Sequence, residues 1–172
     1  LTRALPRFAL LAALLPACAR RPPPGAQATT VSAWAMNGAH PPGADDAALR
    51  CLAPFGPSGA RCDDLSPDGR PLSAAQQVQL EQLLDDPASF LSGVDAGCFA
   101  PRHAFVWTRA DGGRARQLSV SLGCAAVLAD PPLNPRAPAA KPVPLAPAAL
   151  DALRALCGAT GLPGCAEPLR PE

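Results

Sequence analysis

Proline decides where this chain can hold regular structure. A proline ring fixes φ and removes a backbone donor, so helix interiors and central strands must avoid it. The chain carries 23 prolines and 14 glycines in 172 residues, clustered outside one central stretch. That leaves room for one domain of ordinary size plus tails. Tyrosine is absent and the only large aromatic side chains are five Phe and two Trp, so the core has to be built mainly from Leu, Val and Ala.

Charge excludes one class of partner. With 15 basic and 14 acidic residues the formal net charge is +1, and no chain-wide field exists to attract nucleic acid or an anionic surface. Arg20 and Arg21 are the basic residues that cluster, and they read as a solvated flank.

The N-terminus has the form of an export signal. Arg3 and Arg7 supply a positive segment, and Phe8 to Leu15 is an apolar run far short of the about 20 residues that span a bilayer as a helix. It ends in Leu15-Pro16-Ala17-Cys18, which resembles the lipobox of bacterial lipoproteins. The resemblance implies cleavage before Cys18, a diacylglycerol on its thiolate, and tethering to an envelope membrane through that lipid. Ala19, where inner-membrane retention would call for Asp, implies sorting to the outer membrane.

Removing Cys18 leaves Cys51, Cys62, Cys98, Cys124, Cys157 and Cys165. An even remainder in an oxidising compartment reads as disulfides. Six cysteines admit many connectivities; pairing nearest neighbours gives Cys51 with Cys62, Cys98 with Cys124, and Cys157 with Cys165. Each would close a modest loop and contribute about 2–4 kcal/mol, supplementing an aromatic-poor core. A zinc centre fits less well, because neither C-x-x-C nor H-x-x-x-H occurs and Cys98 with His103 is the nearest approach to a ligand pair. No metal and no cofactor is expected.

Periodicity then places the elements. Residues 1–17 are the signal peptide and 18–48 a Pro/Ala-rich tether, in which Trp34 and Met36 either dock on the domain or stay exposed. The domain runs over 49–165 and a tail over 166–172. Residues 49–70 read as an irregular loop held by Cys51 and Cys62. Ser73, with Gln76 three residues on, opens a helix over 74–85 whose Val78, Leu80, Leu83 and Leu84 face the core, and Pro87 ends it. Asp85 and Asp86 read as turn formers.

Ala104 to Thr108 is rich in strand formers, Asp111-Gly112-Gly113 is a turn, and Leu118, Val120 and Leu122 alternate with Gln117, Ser119 and Ser121. That alternation predicts a hairpin strand with one buried and one wet face. Cys124 to Ala129 either continues it or adds a short third strand, and a Cys98–Cys124 bridge would tie the two ends of the hairpin together. Residues 131–147 hold seven prolines and read as a loop. Pro147 opens a last helix over 148–157 with Leu150, Leu153, Leu156 and Cys157 on one face, closed by Gly158 or Gly161. The expected fold class is a small α+β domain: helix, antiparallel hairpin, C-terminal helix and Pro-rich disordered tethers.

The run Cys98-Phe99-Ala100-Pro101-Arg102-His103, the following hairpin, the strand before Cys124 and the leucine-rich helix leading to Gly161-Leu162-Pro163 resemble a set of uncharacterised bacterial envelope proteins. The likeness spans residues 70–163 and implies an envelope protein, with no activity attached.

No catalytic constellation emerges: phosphate loop, nucleophile elbow and zinc-protease motif are all missing. Arg102 and His103 are the candidate functional residues. One reading groups them with a thiolate of Cys98 or Cys124 as a thiol-redox or metal site. The favoured reading has His103 capping a strand or satisfying a backbone carbonyl beside the Cys98–Cys124 bridge, in an envelope protein that binds an unidentified partner or holds a structure.

Overall fold

The computed structural model describes residues 29–36, 51–56, 60–133, 141–166 and 168–169. The proposed signal peptide, Cys18 and most of the tail lie outside them. The fold is a small α+β domain, as the periodicity predicts. Its six-stranded antiparallel sheet runs in the order β2-β1-β3-β4-β5-β6. The strands are β1 (Thr29–Ala35), β2 (Arg70–Pro71), β3 (His103–Arg109), β4 (Arg114–Ser121), β5 (Ala126–Asp130) and β6 (Val143–Pro144). Among the described residues two α-helices, α1 (Ala74–Asp85) and α2 (Pro147–Ala159), and a 3-10 turn at Pro87–Ser89 complete it.

The β3–β4 hairpin forms where alternation and turn chemistry agree. Gly112 adopts φ +80°, a left-handed conformation that costs glycine little. Asp111 Oδ1 accepts from Gly113 N–H at 2.7 Å. That bond, with Arg109 nearby, holds the Asp111 carboxyl below its ordinary pKa of 3.8. Residues 126–130 form a third strand, so the segment after Cys124 does not simply extend β4.

Two assignments from composition change. Residues 29–36 fall in the proposed tether, yet β1 pairs along its whole length with β3 and also with β2. Val31, Ala33 and Met36 are buried; β-branched and aromatic residues give the segment something to pack once β3 offers an edge. The Pro-rich loop likewise ends in the sheet, where Val143–Pro144 pairs with β5 and Leu145 is buried.

One face of the sheet carries the main core. Val31, Ala33, Phe105, Trp107, Leu118, Val120, Val127 and Ala129 pack with Leu80 and Leu84 of α1 and Leu150, Leu153 and Leu156 of α2. Helix α1 opens with the expected capping box, in which Gln76 N–H donates to Ser73 Oγ and the Gln76 side chain receives the Ser73 N–H. Val78 does not face the core but is 55% exposed. At about 100° per residue it lies some 200° around the helix from Leu80. Glu81 on the same helix accepts from the Trp107 indole and pairs with Arg116 at 3.5 Å, linking α1 to β3 and β4. Helix α2 buries the predicted face, and Gly161, at φ +69°, supplies the left-handed residue just past its cap.

The opposite face was expected to be wet and is not. Gln117, Ser119 and Ser121 are 3%, 1% and 1% exposed, because residues 51–56, 60–66 and 98–101 cover them. The covering segments supply backbone partners for Gln117 and Ser121. Gln117 receives Phe55 N–H at 3.2 Å and donates to Phe55 C=O at 3.0 Å, and Ser121 Oγ does the same with Ala100 at 3.1 Å each way. Met36, Cys51, Leu65 and Ala104 form a second, smaller core on this side. Here Trp34 docks, as one of its two expected outcomes allowed. Its indole meets Phe55 edge-on at 6.2 Å and lies so close over Gly69 that an added Cβ would stand 2.3 Å from the ring. Glycine is required at 69 for that reason.

Candidate functional site

All six cysteines after Cys18 are joined, in the nearest-neighbour pattern: Cys51–Cys62, Cys98–Cys124 and Cys157–Cys165. Their Cα separations of 5.9, 5.6 and 5.6 Å fall in the ordinary range for bridged cysteines. The middle bridge ties the segment before β3 to the turn after β4, which antiparallel geometry brings together. The first belongs to the smaller core, and the third fastens the chain beyond α2 back onto that helix.

His103 opens β3 on the core face, opposite Ala35 on one side and Val120 on the other. It is 1% exposed. Its Nε2 lies 2.7 Å from the Pro163 carbonyl oxygen; since a carbonyl only accepts, Nε2 carries the proton and donates. Gly164, at φ +77°, lets the backbone run over the imidazole, with a Cβ position 3.7 Å from His103 Cε1. Cys165 Sγ is 4.0 Å from Nε2. The carbonyl-satisfying arrangement favoured from the sequence is therefore present, but beside the Cys157–Cys165 bridge.

Cys98 and Cys124 are bonded to each other and do not join His103. Among the described residues the ligand atoms that gather within 4.8 Å of one another are those of His103, Cys157 and Cys165. Arg102 sits next in the chain, its backbone N–H donating to Val120 C=O at 3.1 Å and its carbonyl receiving Met36 N–H at 2.8 Å. Its main chain thus helps lock β3 to both neighbouring strands.

The grouping of His103 with Cys157 and Cys165 has no local signature, since His103 and Cys165 are 62 positions apart. The hint was indirect: a histidine just before a strand-forming run, and two cysteines flanking a helix end. No described helix is long and apolar enough to cross a membrane. Against family models, curated proteins and solved structures, the chain matches none.

Proposed function

We propose that this chain is an exported bacterial lipoprotein, anchored through Cys18, whose domain serves a non-enzymatic binding or structural role in the cell envelope. The observation that carries this reading is the complete pairing of the six remaining cysteines. Persistent disulfides belong to oxidising compartments, and one cysteine left over at the end of an apolar, positively flanked leader is the one a lipid would take. The lipobox resemblance of Leu15 to Cys18 and the likeness of residues 70–163 to envelope proteins point the same way. A binding or structural role is favoured because every candidate nucleophilic sulfur in the domain is held in a bridge.

The edges of the sheet fit a module that does not polymerise. Each outer strand has two residues and each contains a proline, Pro71 in β2 and Pro144 in β6, which discourages strand addition. The test is the intact mass of the full chain made in a Gram-negative host, before and after reduction and alkylation. A chain beginning at Cys18 with a diacylglycerol-sized gain, and six thiols appearing only on reduction, is the expected result. An unlipidated chain that keeps residues 1–17 would refute the anchor.

A further inference from the structure

The corner where β3, the end of α2 and the Gly161–Cys165 segment meet holds an imidazole and two sulfurs in one buried pocket of donors. His103 and Cys157 are 1% and 2% exposed, and the three donor atoms lie within 4.8 Å of one another. We propose that reduction of the Cys157–Cys165 bridge converts this corner into a binding site for one copper(I) ion, held by the two thiolates and the His103 imidazole.

Geometry supports the assignment. A cation bonded at about 2.0–2.3 Å to nitrogen and sulfur sets three such donors roughly 3.5–4 Å apart. Nε2 and Cys165 Sγ already stand at 4.0 Å. The two sulfurs, now bonded, have to separate. The segment carrying Cys165 can supply that movement: Pro163 and Gly164 are exposed, and Gly161 and Gly164 both take positive φ. Cys157 stays fixed on α2.

Donor chemistry selects the ion. Two thiolates and one imidazole form a soft set, and no Asp or Glu belongs to the group. Soft sulfur donors favour copper(I), whereas a structural zinc site normally takes four protein ligands. The bridge thus acts as the gate, because bonded sulfurs are not thiolates.

The steps balance. A dithiol reductant gives two electrons and two protons to the bridge, leaving two protein thiols and the reductant's own disulfide. Copper(I) then displaces both thiol protons. His103 ligates as the neutral ring through Nε2, its proton moving to Nδ1, and the Pro163 carbonyl is released to water. The proposal does not depend on the lipid anchor.

The experiment uses the full chain, purified oxidised, reduced in graded steps with dithiothreitol and freed of reductant under anaerobic conditions. Peptide mass mapping identifies which bridge has opened. Copper(I) is offered as its bicinchoninate complex, and X-ray absorption of the loaded wild-type protein counts sulfur and nitrogen neighbours. One ion taken up per reduced chain, none by the oxidised chain, and a first shell of two sulfurs and one nitrogen are expected. His103→Gln should weaken binding by at least about tenfold, in line with the cost of disturbing a metal site, and Cys98→Ser/Cys124→Ser should leave it intact. Equal uptake by reduced wild type and Cys157→Ser/Cys165→Ser would overturn the proposal. So would a shell of sulfur alone in the wild-type protein, a readout that requires no variant to fold.

Discussion

Gln117 lies mid-strand, polar and almost wholly buried, and its side chain ties β4 to the covering segment and to β5. It closes on both the N–H and the C=O of Phe55 and donates to Asp130 Oδ2 at 3.1 Å. Gln117→Ala should therefore lower stability by about 1–3 kcal/mol, the cost of leaving buried polar groups unmatched, as measured by urea unfolding. A loss within a few tenths of that for an exposed site would mean that the segment around Phe55 is not held through this residue. The alternation of Leu118, Val120 and Leu122 with Gln117, Ser119 and Ser121 correctly separates the two faces of β4. It reads polar as wet, because period-2 patterning reports which side chains share a face and says nothing of what covers that face. His103 illustrates the same limit: a carbonyl partner could be anticipated, but Pro163 is 60 positions away.

At the scale of elements, the two helices start differently. Helix α1 has a reciprocal capping box, while α2 begins at Ala146, whose φ of −65° and ψ of 151° suit an N-cap but whose side chain has nothing to offer the free N–H groups. Ala146→Ser should stabilise the protein by about 0.5–1 kcal/mol, and Ser73→Ala should destabilise it by about 1 kcal/mol. Thermal unfolding followed by circular dichroism measures both; an unchanged midpoint in both variants would show that the caps are redundant here. The helices were legible because capping signals, apolar spacing and stop signals are all local. Strand β1 was not, since Thr29 to Ala35 is short, follows a proline cluster and has no partner nearby in the chain. What makes it a strand is β3, more than sixty positions on, with Thr29 set opposite Arg109 and Ala35 opposite His103.

For the molecule as a whole, the sheet is the middle of three layers, with α1 and α2 on one side and the bridged residues 51–56 and 60–66 on the other. β1 contributes to both, Val31 and Ala33 to the helix side and Trp34 to the loop side. A chain cut to begin at residue 49, where composition alone would place the domain boundary, should lose cooperative folding even with its disulfides formed. Amide proton dispersion in NMR gives the readout, and a well-dispersed spectrum from that fragment would show β1 to be an accessory. Elements whose causes are local could be read from the chain itself: both helices, the central hairpin, its turn, and an even set of six cysteines whose connectivity the fold then settles. Tertiary structure alone decided that residues 29–36 and 143–145 join the sheet, that the polar row of β4 is buried, and that His103 meets the Cys157–Cys165 bridge. Each of these depends on backbone edges, partners and cover supplied from distant parts of the chain, and a periodicity carries information only about its own neighbours.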